Sequence, residues 1–259
     1  MNSIIETILK RGSLRKYKKE KISDKDLNLI LKCAMRAPTA GNMMTYSILT
    51  IRDEETKKKL SLSCDDQPFI ASSSIILVFL ADYSKWYKYY EINKTKEFME
   101  SRGESFEGPT ESSLFLAMQD AVIAAQNAVI AAESLGIGSC YIGDIMEKVE
   151  YHKELFKLPK YVYPVTMLTL GYYPDNYTMP LQSRFDSKYV VFNESYSELS
   201  DDEINDMYKE RNTLYTEKNK FGAENYAQTH YNFKVKSKFS MEMTRSIRLT
   251  IKEWSGNKI

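Results

Sequence analysis

Ile4, Ile5, Ile8 and Leu9 recur at the spacing of one helical face, behind Ser3 and Glu6 in the arrangement of a capping box, and Gly12 stops the turn. A short first helix is expected there. Ser23 to Asp26 open a second, with Leu27, Ile30, Leu31 and Ala34 at core spacing. Pro38 closes it, because the residue before a proline avoids the helical region. The runs 46–51 and 74–81 are β-branched or apolar and of strand length, separated by a charged helix from 53 to about 62. Residues 84–112 are polar and aromatic, with Gly103, Gly108 and Pro109, and read as an excursion.

The stretch 113–135 is apolar except for the pairs Gln119/Asp120, Gln126/Asn127 and Glu133/Ser134, spaced seven residues apart. Such spacing draws one narrow polar stripe down a helix, as expected of a helix buried within a protein or between subunits and not of a membrane span. Gly136 and Gly138 end it, a strand resumes over 139–142, and a helix over about 147–156 leads to an apolar strand over 162–170. An arm over 171–198 has few helical signals. Ser200 to Glu203 then cap a charged helix reaching about 220, and a last amphipathic segment covers about 241–254. With no repeat in sight, the pattern predicts one α+β domain over 1–259, with the excursion at about 84–112 and a C-terminal arm and helices at about 171–259.

Composition narrows the functional classes. The 259 residues suffice for one or two domains with a packed core. Balanced charge, 36 Lys and Arg against 35 Asp and Glu, argues against a nucleic-acid binder, which needs a basic excess to neutralise phosphates. Three scattered cysteines and two histidines offer no CxxC spacing, so neither a metal site nor a disulfide framework is expected. The first residues resemble neither a signal peptide nor an anchor, and a cytoplasmic protein is expected.

Arg11, Ser13 and Arg15 alternate, so in an extended segment their side chains share a side. Two guanidiniums and a hydroxyl suit a phosphate group. Spacing alone equally describes a solvated basic edge, because Lys16, Lys18, Lys19 and Lys21 continue the run. Thr39, Gly41 and Asn42 form a small polar loop where backbone could approach a ligand, although alone it is an ordinary turn. Gln67, before Pro68, offers an amide that can donate and accept. The glycines from Gly136 to Gly143 follow a helix and precede a strand, the reverse of a dinucleotide fingerprint. Cys140 has no supporting histidine motif and reads as a buried thiol.

In order along the chain, Arg11 to Arg15, Ala37 to Asn42, Ala125 to Gly138 running into Tyr141 to Gly143, Leu158 and Pro159, Leu170 to Tyr172, Pro174 to Asn176, Arg184, and Asn193 to Tyr196 together resemble the nitroreductase family of FMN enzymes, in its larger NADPH-dependent nitroreductase and flavin reductase group. The resemblance implies an α+β sandwich with a central, mostly antiparallel sheet flanked by helices, forming an intertwined homodimer. It also implies FMN as cofactor, NADPH or NADH as donor, and ping-pong hydride transfer through flavin N5 to nitroaromatics, quinones or flavins. The flavin then carries the chemistry, with no catalytic side chain. Arg11 and Ser13 would reach the FMN phosphate and ribityl region, and Arg15 the ribityl chain and the N1/C2-carbonyl edge. Thr39, Ala40, Gly41, Asn42 and Gln67 would hold the isoalloxazine edge. Tyr141, Ile142 and Gly143 would lie near N5, and Arg184, with Gln182 before it, would close on the phosphate. Arg245 sits where the group carries an arginine for substrate or the NADPH 2′-phosphate. Gly12, Met44 and Gln182 depart from the family pattern, each removing a polar or positive contact. Two other readings stay open: a flavin-binding module without turnover, and an FMN-dependent reductase of another acceptor class.

Overall fold

The computed structural model describes residues 2–256. In chain order the elements are α1 (Ser3–Lys10), α2 (Asp24–Ala34), β1 (Tyr46–Ile51), α3 (Glu54–Ser63), α4 (Pro68–Ser72), β2 (Ile75–Asp82), α5 (Ser84–Ile92), α6 (Thr95–Ser101), α7 (Glu111–Ser134), β3 (Ile137–Ile142), α8 (Val149–Leu155), β4 (Val162–Tyr172), α9 (Asp201–Asn212), α10 (Tyr226–Lys234) and α11 (Lys238–Ser255). Two compact units result. The smaller is Leu181–Met241, and the larger holds the sheet.

The four strands pair antiparallel in the order β1-β2-β4-β3. Central β2 is buried at every position, which explains its unbroken apolar run: helices cover both faces of the sheet. Ile75, Leu77, Phe79 and Ala81 pack with α2, α7 and Trp254, while Ile76, Val78 and Leu80 pack with Leu60, Cys64 and Ile70 of the α3–α4 region. This is the expected α+β sandwich.

Long and apolar enough by composition to cross a bilayer, α7 is instead a core helix, with Ala117, Ala121, Ala124, Ala125 and Ala128 fully buried. Its polar stripe is used inside the chain. Asp120 accepts from Ala40 and Thr45, Asn127 donates to the Cys33 carbonyl, Gln126 accepts from the Tyr141 hydroxyl, and Glu133 accepts from the Tyr173 hydroxyl. Phe115, Leu116, Val122 and Ile123 on the same helix remain exposed.

Two expectations, the cap of α1 and the length of the helix after Ser200, need correction. Asn2, not Ser3, caps α1, its side chain accepting from Ile5 N at 3.0 Å; a capping Asn one residue earlier displaces the box. The apolar face of α1 is not in the core of the chain, since Ile4, Ile5, Ile8 and Leu9 are exposed. The helix after Ser200 has the expected reciprocal box with Glu203 but ends at Asn212, and α10 follows behind an Asn225 cap. The 84–112 excursion contains α5 and α6, held by aromatic contacts such as Tyr87 on Phe106 and on Tyr161.

Candidate functional site

Beyond α1 the chain runs extended across the β3–β4 pair. Ser13 bridges to Ser139 in parallel sense, Leu14 N donates to the Ser139 carbonyl at 2.8 Å, and Lys18 N donates to Tyr172 O at 3.0 Å. Gly138 and Gly171 are cross-strand partners and make the floor beneath it. A Cβ on Gly138 would lie 2.4 Å from Leu14 Cδ2, and one on Gly171 would lie 2.5 Å from Tyr17 Cδ1. Leu14 is fully buried as a result, and the Tyr17 hydroxyl hydrogen-bonds to Leu14 O and Thr169 Oγ1, both at 2.7 Å. With Leu14 anchored inward, alternation turns Ser13 and Arg15 outward.

Among the described residues neither Arg11 nor Arg15 forms an ion pair. Arg15 instead lies 5.9 Å above the Phe69 ring. Both cations act on buried groups nearby. Burial pushes the Cys140 thiol up, against the pull of Arg15, the Ser13 hydroxyl and Arg11. Burial likewise raises the Glu133 carboxyl, with the Tyr173 hydroxyl and Arg11 opposing. Gly12 faces Met179, whose Sδ would sit 2.3 Å from an added Cβ, so the thioether occupies the room of a side chain there.

Gln67 belongs to the same corner. Its Nε2 donates to Cys64 O at 2.8 Å and to Asp144 Oδ2 at 3.1 Å, next to Ile142 and Gly143 at the end of β3. A Cβ on Gly143 would meet nothing within 4 Å, which leaves open space beside the backbone where Tyr141, Ile142 and Gly143 lie. Arg11, Ser13, Arg15, Gln67 and residues 141–143 are thus gathered at the β3 edge.

The 39–42 loop is not gathered with them. It forms a 3-10 turn over Ala40–Asn42, with Gly41 at φ 56° and Asn42 at φ 56°, left-handed conformations suited to Gly and Asn. Asp120 and Glu133, near which Ala40 and Arg11 respectively lie, are thirteen residues apart on α7, about 20 Å at the helical rise. β1, which follows the loop, is also the opposite edge of the sheet from β3. Met44, left-handed at φ 51°, donates its N–H to Thr39 Oγ1 at 3.2 Å.

Gln182 and Arg184 lie in the smaller unit. There Arg184, Lys188 and Arg211 line a cleft of about 310 Å³ with Asp206 and Glu210. In the larger unit, Arg245 Nη1 and Nη2 grip Glu150 at 2.7 and 2.8 Å, and Nε and Nη2 reach Glu242 at 2.9 and 2.6 Å. The guanidinium holds the Glu150 carboxyl well below the usual carboxylate range and ties α11 to α8. Sequence reasoning missed Asp120, Asp144, Phe69 and the Gly138–Gly171 floor; only the seven-residue polar stripe pointed toward any of them.

The chain is a two-face sandwich with Arg11 and Arg15 on a segment at one sheet edge. The model of the nitroreductase family matches residues 8–172, and the chain belongs to that family. It is 30% identical over 223 residues to the FMN reductase (NADPH) of Bacillus subtilis strain 168, covering 82% of this chain and 85% of that protein. A second protein of that strain, FMN reductase [NAD(P)H], is 30% identical over 88% of this chain and 90% of its own length. Among solved structures, NfrA2 of B. megaterium superimposes with a TM-score of 0.81 at 30% identity, over 98% of each chain.

Proposed function

We propose that this chain is an FMN-dependent NAD(P)H oxidoreductase of the nitroreductase type, cytoplasmic and active as a homodimer. The observation that carries the reading is the pair of guanidiniums, Arg11 and Arg15, without an ion-pair partner among the described residues and flanking Ser13 on a segment pinned to the β3 edge. The donor set fits FMN: planar cationic forks and a hydroxyl match a phosphate and its ribityl chain, and the space beside the Gly143 backbone is open.

When bound, FMN supplies the two-electron chemistry, taking reducing equivalents from NADPH or NADH and passing them to a small acceptor such as a nitroaromatic, a quinone or a free flavin. The chain's own residues bind and orient. Arg11 and Ser13 hold the phosphate end. Arg15 places positive charge where a reduced flavin is negative, which favours the reduced state. Gln67 and the backbone of Tyr141, Ile142 and Gly143 set the ring. Arg245, as the family's donor-phosphate position, would have to exchange Glu150 or Glu242 for that phosphate.

Two observations support a homodimer. The loop of Thr39, Ala40, Gly41 and Asn42 lies far along α7 from Arg11, which suits a role at the flavin of a second copy. The exposed apolar residues of α1 and α7, Ile4, Ile5, Ile8, Leu9, Phe115, Leu116, Val122 and Ile123, make a surface such a copy would cover.

The deciding experiment is an absorbance spectrum of the purified protein before and after anaerobic NADPH or NADH. Flavin bands that bleach on addition are expected. Colourless protein that neither binds added FMN nor consumes either donor overturns the reading.

A further inference from the structure

A cleft of about 250 Å³ lies where β1 ends and β2 begins, against the lysine-rich segment that follows Arg15. Lys18 N donates to Tyr172 O at 3.0 Å and Ser74 N to Leu170 O at 2.9 Å, so the end of β4 fixes two of its walls. Five cations line it, Lys18, Lys19, Lys21, Arg52 and Lys57, against the carboxylates of Glu20 and Glu54. The side chain of Lys57 is only 3% exposed; its Nζ donates to Ser73 O at 2.6 Å and meets Glu54 Oε1 at 3.0 Å. Burying an ammonium is costly unless its charge is paired and its hydrogens are used. Yet Glu54 is itself exposed, and an ammonium has three N–H groups.

The capacity left over on the cleft floor is donor capacity. Ser74 Oγ accepts from Ile22 N at 2.8 Å, and its own hydrogen has no acceptor among the described residues. Nearby acceptors are taken, Phe69 O by Ser72 Oγ and Ile70 O by Ser73 Oγ. At the rim, Lys19 and Lys21 form no ion pair among the described residues, while Lys18 and Arg52 hold Asp175 and Asp24, both exposed. Exposed pairs of that kind hold weakly. We propose that this cleft binds a phosphoryl oxyanion, with Lys57 and Ser74 as its floor and Lys19 and Lys21 closing over it. Such a group only accepts hydrogen bonds and carries more than one negative charge, whereas a single carboxylate would leave most of the cationic surplus unmatched. The site is separate from the arginine segment: Ser13 bridges to Ser139, and Lys18 reaches Tyr172 on the other side of the Gly138–Gly171 pair.

The test is equilibrium dialysis of labelled orthophosphate and labelled glycerol phosphate against the full chain, kept saturated with FMN so that the arginine segment is filled. Saturable binding of either anion at one per chain is expected, and the tighter of the two tells a free phosphate from a phosphate ester. The affinity should fall about tenfold in the exposed double variant Lys19→Gln with Lys21→Gln, and at least as far in Lys57→Met, the scale of a hydrogen bond to a charged group. Arg15→Ala should leave it unchanged. The double variant decides the matter if Lys57→Met does not fold, because Lys19 and Lys21 lie on the surface. Wild type that binds neither anion saturably overturns the proposal, and so does an affinity that the double variant retains in full. Binding lost in Arg15→Ala also overturns it, by placing the anion on the arginine segment. A chain that takes up no FMN sinks the flavin reading alone, since the same comparison of variants still tells the two sites apart.

Discussion

Asp120 holds Thr45 twice, accepting from its backbone N–H at 3.2 Å and from its hydroxyl at 2.7 Å. Its other oxygen accepts from Ala40 N at 2.9 Å, so one carboxylate buried on α7 staples both ends of the loop that includes Gly41 and Asn42. Asp120→Asn replaces one acceptor with an NH2 that faces an N–H. The loss should be about 1–3 kcal/mol, the cost of leaving a buried group unpaired. Urea unfolding measures that loss, and flavin titration of the folded variant should show weaker FMN binding as the loop loosens. Unchanged FMN affinity would separate the loop from the flavin.

Arg15 and Lys18 are both cations of the same basic run, but their partners differ. Lys18 is taken up by Asp175 at 2.6 Å, while Arg15 has no carboxylate partner among the described residues. Arg15→Ala should weaken FMN binding by about tenfold or more, the value of a hydrogen bond to a charged group, and Lys18→Ala should leave it nearly unchanged. Flavin content of the two purified variants decides the point. Equal retention would return Arg15 to the solvated edge.

Gly138→Ala should destabilise the protein by about 1–3 kcal/mol, as overpacking does in a tight core. The new Cβ would sit 2.4 Å from Leu14 Cδ2, 3.0 Å from Leu14 Cβ and 2.9 Å from the Tyr173 ring, so the buried Leu14 of the arginine segment must shift. Weakened FMN retention should accompany the loss. A control at Gly103, where a Cβ meets nothing, carries only the strain of its φ of 75°.

His152 is buried and hydrogen-bonded to Ser63 Oγ at 2.8 Å, and burial pushes its imidazole down to about 4 from the ordinary 6.5. In that interval the unfolded chain binds a proton that the folded one refuses. Stability should therefore fall as pH drops from 6.5 toward 4, by up to about 3 kcal/mol. Urea midpoints at neutral and acid pH should show this slope in wild type and a smaller one in His152→Gln, which keeps a polar partner for Ser63 without titrating. Equal slopes would assign the acid loss to other groups.

Much of this architecture was legible along the chain. β-branched or apolar runs of strand length located the strands and helical spacing the main helices, because burial leaves a local pattern that neighbouring residues must follow. Arg11, Ser13 and Arg15 were legible as a set for the same reason: alternation in an extended segment is a local property. Less was legible at 213–241, where turns and α10 carry little apolar repeat and caps such as Asn225 act alone.

What one dimension could not supply was long-range company. Gly138 looked like a helix stop, but it is paired with Gly171, and the absence of two side chains lets Leu14 and Tyr17 lie flat. Asp120 looked like one step in a polar stripe until the fold set it beneath residues eighty positions earlier. By itself, then, the sequence determined the strands and the main helices and the chemical type of the Arg11–Arg15 segment, all consequences of neighbours a few residues apart. Only the tertiary structure decided that this segment sits with Gln67 and Gly143 while the 39–42 loop lies elsewhere. It also decided which polar groups face ligand space and which are consumed by partners, because hydrogen bonds and steric contacts join positions whose separation along the chain carries no periodic signal.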